Sequence, residues 1–451
     1  MICLEPATIV RASVAGTARQ LESACSSPHP VAPTIIRAVA GAIRITKCRL
    51  CGSSGFVNVL DLGEQALTGV FPATTDQPIS EGPLELVWCT SCSLLQLAHS
   101  YDPTEMYGDN YGYRSGLNRS MSQHLARKAA GLEALVGLST GDVVLDIGSN
   151  DGTLLSSYTT RQLRLIGIDP TAARFASSYP PDAEAVPDFF SADTFRRVSG
   201  TPARIITSIA MFYDLDDPVG FARDVRECLA PGGVWHFEQS YMPSMLRLTA
   251  YDTVCHEHLE YYSLGTICRI LDEAELELID VRFNRVNGGS FAVTAGRMGS
   301  SIPPRRVLIN WFLDQEQRIG LDTPGPFRRF EESVFRHRTD LVQLIRALRA
   351  DGARVMGYGA STKGNVLLQF CGFTPIDIEA IAEVNPDKFG HVTPGSGIPI
   401  ISEDEVREAH PDYLIVLPWH FRDNIIEREE EYLRKGGRLI FPLPEIEIVG
   451  G

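Results

Sequence analysis

The sequence predicts an α/β protein: a doubly wound parallel sheet, a small cysteine-rich lobe ahead of it and a second α/β layer behind it. Three observations carry this. From residue 121 onward, short apolar runs suited to buried strands alternate with helical stretches, as in a parallel sheet with crossover connections. A strand, glycine turn and helix pattern returns at 353–365. Two CxxC pairs precede both units. At 451 residues the chain exceeds one ordinary core and divides into a loosely structured tail (1–43), a lobe (44–120), a central domain (121–300), a helical bridge (301–350) and a C-terminal domain (351–451).

Composition narrows the function. A formal charge of −15 lacks the concentrated basic surface that phosphate backbones require, so no nucleic-acid partner is expected. No stretch reaches the roughly eighteen apolar residues of a membrane span, and no apolar signal core opens the chain. A cytoplasmic location with no membrane partner is the expectation. Ten cysteines in this length fit reduced thiols unless some are grouped for metal. Four are grouped.

Residues 1–43 are rich in Ala, Ser, Pro and Thr and carry no motif. Cys48, Cys51, Cys89 and Cys92 then supply four thiolates from two tight turns, which suits tetrahedral zinc. The 37 residues between Cys51 and Cys89 must form their own hairpin or loop. No open ligand position accompanies the set, so a closed structural zinc is expected rather than a catalytic one. Downstream, the loop 107–116 packs Tyr107, Tyr111 and Tyr113 among glycines, where phenols could bond an oxyanion or a sugar hydroxyl.

After a helix over 121–137, strands are expected at 142–147, 163–168, 204–212, 233–238 and 277–286. The first runs into Asp146, Gly148, Ser149, Asn150 and Gly152, where glycines would let backbone approach a ligand, and a helix is expected to follow. The second ends at Asp169, placed for ribose hydroxyls. Strand, acidic glycine turn, helix, strand and acid resemble the S-adenosylmethionine site of the doubly wound methyltransferases. The segments following the third and fourth strands, Met211–Leu215 and Glu238–Tyr241, gain functional weight because ligands bind at strand carboxyl ends. Cys255-His256-Glu257-His258 is the densest titratable cluster; its histidines are two apart, not the HExxH spacing of a helical metal site, so proton transfer is the better reading. After Asn287-Gly288-Gly289-Ser290, the run 291–295 reads as an antiparallel last strand.

Residues 304–320 and 328–349 read as helices, followed by strands at 353–358, 378–383, 412–417 and 438–441 and a charged helix at 421–435. The turn Gly357-Tyr358-Gly359-Ala360-Ser361-Thr362-Lys363-Gly364-Asn365 opens a helix and makes an anion site. With Tyr358, Lys363, Asn365, Trp419 and His420 at its edge, this domain is expected to hold a phosphorylated substrate.

In this order the stretches from Cys48 to the end resemble the sugar C-methyltransferases of deoxysugar biosynthesis: the CxxC pairs, Leu145–Gly152, His256-Glu257-His258, Asn287–Ser290, Gly357–Asn365, Thr393–Ile400 and Leu417-Pro418-Trp419-His420. The resemblance implies a class I (Rossmann-like) methyltransferase domain with an N-terminal zinc-binding lobe and a C-terminal Rossmann-like domain. It also implies methyl transfer from S-adenosylmethionine to a carbon beside the ketone of a nucleotide-linked 4-keto-deoxysugar. His258 would then be the base, with Glu257 and His256 beside it, and Tyr111 and Tyr113 would help to hold the sugar. The better-known members carry Tyr at Cys255, His near Met211 and His at Asn287. Two rival readings remain open at this point: an O- or N-methyltransferase on another phosphorylated metabolite, and a non-catalytic zinc-containing binding protein. The oligomeric state, monomer or dimer, is open as well.

Overall fold

A computed structural model describes residues 41–106 and 114–450. The lobe contains β1 (Ile43–Arg44), β2 (Phe56–Ala66), β3 (Glu81–Cys89), β4 (Leu95–Leu97) and β5 (His99–Ser100). The expected hairpin between the cysteine pairs is β2 against β3, antiparallel from Phe56↔Cys89 to Ala66↔Glu81.

The central domain contributes β6 (Val143–Ile147), β7 (Arg164–Ile168), β8 (Ala183–Val186), β9 (Ala203–Ile209), β10 (Leu229–Ser240), β11 (Glu260–Tyr261), β12 (Leu276–Asn284) and β13 (Ser290–Arg297). Seven of these form one sheet in the order β12-β13-β10-β9-β6-β7-β8. The strands from β8 to β10 run parallel, and β13 is inserted antiparallel between β10 and β12. β6 is buried at every position, as a run of Val, Leu and Ile in a doubly covered sheet should be. β11 leaves this sheet and joins the lobe, giving the order β11-β4-β3-β2.

The helices Arg306–Ile319 and Gly325–Ala350 connect the domains, near their expected positions. The C-terminal sheet comprises β14 (Val355–Tyr358), β15 (Ile381–Glu383), β16 (Ile400–Ser402), β17 (Tyr413–Val416), β18 (Arg438–Phe441) and β19 (Glu447–Val449). Their order is β16-β15-β14-β17-β18-β19, doubly wound with an antiparallel edge. Core residues of the long helix, Phe327, Phe330 and Val334, cluster with this sheet and with Leu84 and Leu86 of the lobe, so the lobe and the C-terminal domain share one apolar core.

Several expectations change. The helix anticipated after Gly152 is only a single 3-10 turn, Leu155–Ser157, because the chain leaves helical geometry at Tyr158, which is extended at φ −73° and ψ 138°. The third strand stops at Ile209 rather than 212, since Ala210 takes φ 55° and the chain enters the turn Phe212–Asp214. The charged helix divides at Glu429, a buried carboxylate that accepts from Tyr358 Oη at 3.1 Å and Arg407 Nη2 at 2.9 Å. β8, β16 and β19 were not anticipated; all are short, at 4, 3 and 3 residues.

Candidate active site

A cavity of about 630 Å³ opens at the carboxyl ends of β6, β7, β9 and β10 and is closed from the far side by the C-terminal domain. Its wall comes from both: Asp146, Gly148, Asp169, Met211, Tyr213 and Glu238 on one side, Ser361, Thr362, Lys363, Pro418 and His420 on the other.

At the β6 end a glycine turn and two acidic residues line the cavity. Gly148 has φ +69°, and a Cβ there would lie 3.0 Å from Met211 Cγ, so glycine is required both by conformation and by space. Asp146 is fully buried, accepts from Thr207 Oγ1 at 2.6 Å, and is pushed up to about 7 by burial. Asp169 lines the cavity with its carboxylate partly engaged: Oδ2 accepts from Asn150 N at 2.8 Å, and Oδ1 from Thr171 N at 2.7 Å. Ser149 and Asn150 also line the cavity while bracing the loop, Ser149 Oγ meeting Tyr179 Oη at 2.7 Å and Asn150 Oδ1 accepting from Ser115 N at 3.0 Å. Gly152 is a correction. It does not line the cavity; its φ is +73°, and the space of its missing Cβ is closed by the Tyr179 ring, 2.9 Å away.

At the opposite end His258 and Glu257 line the cavity. His258 Nδ1 lies 2.7 Å from Thr253 O and therefore donates to it, which leaves the Nε2 lone pair available. Its ring packs edge-on to Tyr213 at 4.2 Å. Burial, and then the Lys363 charge, lower its pKa to about 3, so the imidazole is neutral. Burial raises the Glu257 carboxyl, whose Oε2 faces Thr68 Oγ1 at 3.4 Å. His256 is a second correction: it points away from the cavity, Nε2 donating to Gly82 O at 3.2 Å and its ring edge-on to Tyr101 at 4.8 Å. Tyr111 and Tyr113 lie outside the described residues.

Of the five expected substrate residues, two reach the cavity. Lys363 donates to Asn287 O at 3.1 Å and is held below the usual lysine range by burial, partly offset by Asp252. His420 is half-buried, and desolvation and then Lys363 lower it to about 3. The other three are scaffolding. Tyr358 bonds Glu429 in the core, Asn365 Nδ2 donates to Thr68 O at 2.8 Å, and Trp419 Nε1 donates to Asp252 Oδ2 at 2.7 Å. Asn365 therefore fixes the strap that carries Thr68 and Gly69 against Glu257, where any Cβ at residue 69 would meet the carboxylate at 2.5 Å.

Of the three positions where this chain departs from the better-known family members, Cys255 is buried outside the cavity wall, whereas Met211 and Asn287 line it. Two buried networks were not foreseen: one around Glu238, which the sequence marked only as the start of the segment after the fourth strand, and one around Arg49, which it did not mark. Glu238 is the hub of a buried network, with His124 Nε2, Lys128 Nζ and Asn284 Nδ2 each 2.6 Å away. Arg49, inside the first cysteine turn, has a side chain only 3% exposed. It donates to Asp216 Oδ1 at 3.1 Å, Leu97 O at 2.7 Å and His99 O at 3.0 Å, and lies 3.8 Å from Glu260. A lone arginine between cysteines offers no periodicity to mark it.

The four cysteine sulfurs lie within 4.8 Å of one another. The Cys48–Cys92 and Cys51–Cys89 separations are 3.5 and 3.6 Å, close to the edge of about 3.8 Å expected for a tetrahedron with Zn–S bonds of about 2.3 Å. The residue after each turn, Gly52 or Ser93, takes φ +69° or +62°, closing two matching knuckles. The donor set fits zinc.

Family models match the chain in three consecutive blocks, described as a zinc binding domain (residues 48–107), a methyltransferase domain (113–281) and a C-methyltransferase C-terminal domain (285–444). The C-methyltransferase NovU of Streptomyces niveus is 31% identical over 409 residues, spanning 90% of this chain and 97% of that one. Among solved structures, a methyltransferase in complex with the Haloferax volcanii Trm112 activator is 14% identical (42% of this chain, 94% of that one, TM-score 0.33). The mitomycin 7-O-methyltransferase MmcR is 16% identical (40% and 55%, TM-score 0.33). The chain belongs to the C-methyltransferase family made of these three domains, and is an S-adenosylmethionine-dependent methyltransferase. Among the described residues no helix is long and apolar enough to cross a membrane.

Proposed function

We propose that the enzyme methylates the α-carbon of a nucleotide-linked 4-keto-deoxysugar, with S-adenosylmethionine held by Asp146, Gly148, Ser149, Asn150 and Asp169 and a structural zinc on the four cysteines. The observation that carries the reading is a histidine whose Nδ1–H is held by Thr253 O in the wall of the cavity, facing a half-buried lysine.

The cofactor supplies an electrophilic methyl; the protein must make the acceptor carbon nucleophilic. A carbon beside a ketone becomes so when its proton is removed and the electron pair delocalises onto the ketone oxygen. His258 Nε2 is available to take that proton, and the bond from Nδ1 to Thr253 O orients the ring. Its low basicity reflects burial and Lys363; a diphosphate or enolate charge near Lys363 would offset that field and strengthen the base at the moment it is needed. Lys363, at the N-terminus of the helix Thr362–Cys371, supplies the positive charge on the C-terminal wall.

The reading is tested by incubating the enzyme with S-adenosylmethionine and a panel of nucleotide-linked 4-keto-deoxysugars and following intact mass. Gain of one methyl group on carbon, located by NMR, is expected; methyl on oxygen or nitrogen would replace this assignment with the rival one.

A further inference from the structure

We propose that Gln239 is the acceptor-reading group of this enzyme and that it recognises an α-hydroxyketone, Nε2 donating to the ketone oxygen and Oε1 accepting from the neighbouring hydroxyl. The proposal deepens the reading above and rests on it for the ketone.

Gln239 is the penultimate residue of β10, is 1% exposed, and lines the cavity. Neither its Nε2 nor its Oε1 has a hydrogen-bond partner among the described residues. Folded proteins rarely bury an amide in this way, and a doubly unpartnered one in a ligand cavity points to a ligand that completes it. Its neighbour on the opposite pleat shows the contrast: Glu238 is already engaged by His124, Lys128 and Asn284, each at 2.6 Å.

Sheet order places this amide away from the cofactor acids. β10 is separated from β6 by β9, which puts it about 10 Å from the strand of Asp146 at ordinary strand spacing. Nearby, Ser290 Oγ donates to Val286 O at 2.8 Å, and the backbone carbonyl of Asn287 accepts from Lys363. Gln239 presents at this end a buried donor and acceptor on one plane, neither with a partner among the described residues.

That pairing selects chemistry. A ketone beside a hydroxyl offers one acceptor and one donor and satisfies both amide atoms. Without the hydroxyl, Oε1 stays unpaired. With an ammonium in its place, the carboxamide would meet a charge it cannot neutralise. Removal of the α-proton raises the charge on the ketone oxygen, so the Nε2–H bond strengthens as the reaction proceeds.

The test is calorimetric titration of the full-length protein saturated with S-adenosylhomocysteine, using a nucleoside-diphosphate-linked 4-keto-6-deoxyhexose with a 3-hydroxyl and its 3-deoxy counterpart. Wild type should bind the hydroxyketone about 10–100-fold more tightly, the discrimination expected when a buried acceptor would otherwise lose its partner. Gln239→Met, close in shape but lacking both polar atoms, should erase the preference while leaving S-adenosylhomocysteine affinity unchanged. Gln239→Asn, which withdraws the amide by one methylene, serves if the methionine variant does not fold and should blunt the preference. Equal affinity of the two sugars for wild type, or a preference that survives both substitutions, overturns the assignment. Solvent exchange of the α-proton distinguishes the two levels: equal affinities with exchange intact remove Gln239 alone, whereas selective binding without exchange or methylation leaves Gln239 in place and removes the proposed reaction.

Discussion

His258 and His256 stand two residues apart in one loop and have opposite fates. Thr253 O accepts a hydrogen bond from His258 Nδ1–H, leaving Nε2 free of that bond, whereas Gly82 O and the Tyr101 ring hold His256 away from the cavity. A histidine lowered to about 3 is already neutral throughout the working range. The sign follows directly: kcat/KM should show no acid limb near pH 6.5 from this residue, and a profile measured from pH 5.5 to 8 that falls tenfold below 6.5 would contradict the assigned environment. For Asp169, both carboxylate oxygens already receive bonds from Asn150 and Thr171, so Asp169→Ala should loosen the loop as well as the ribose site. Calorimetry should show S-adenosylmethionine binding weakened by about 1–3 kcal/mol, the cost of unpaired buried groups; unchanged affinity would remove Asp169 from the site. At this scale the chemistry-bearing types were legible from sequence, but their direction was not. Trp419, Asn365 and Tyr358 sit in the expected turns and point into Asp252, Thr68 and Glu429, because tertiary partners decide which way a turn residue faces.

Among the elements, β11 couples the cysteine lobe to the loop that carries His258. It begins two residues after His258 and pairs with β4 through Glu260↔Gln96 and Tyr261↔Leu95, while Leu97 N donates to Leu259 O at 2.8 Å. Gln96 Nε2 in turn reaches Cys48 Sγ at 3.2 Å. Cys89→Ser should therefore lower zinc content and also speed amide hydrogen exchange across 255–261, not merely in the lobe. Protection at 255–261 unchanged after zinc loss would show that the two parts are independent. The paired CxxC turns and the β6 turn could be read from spacing alone, since each depends on local geometry. The lobe's fourth strand could not: it is two residues long and comes from about 160 residues away, beyond any periodicity. The missing helix after Gly152 has another cause: the backbone turns extended at Tyr158 after one 3-10 turn, which the amphipathic pattern does not mark.

At the scale of the whole molecule, Asp146 and Asp169, proposed for the cofactor, belong to one doubly wound sheet, and Lys363, proposed for the acceptor, belongs to another. Both sheets and their order of appearance were expected from sequence; that the lobe and the C-terminal domain would share a core was not, because apolar residues do not name their partners. Division of the cavity predicts a division of kinetics. Lys363→Met should raise the acceptor KM about 10–100-fold through loss of a charge-assisted contact, with cofactor affinity unchanged; an equal loss of cofactor binding would mean that the wall is not shared as described. The central claim, that His258 removes an α-proton before a carbon is methylated, is most directly tested by following deuterium uptake at the acceptor α-carbon in heavy water, with S-adenosylhomocysteine in place of the methyl donor. Wild type should exchange that position, and His258→Gln should slow both exchange and methyl transfer by about 10²–10⁴ while binding cofactor normally. Exchange and turnover persisting in His258→Gln, or abolished instead by His256→Ala, would contradict it.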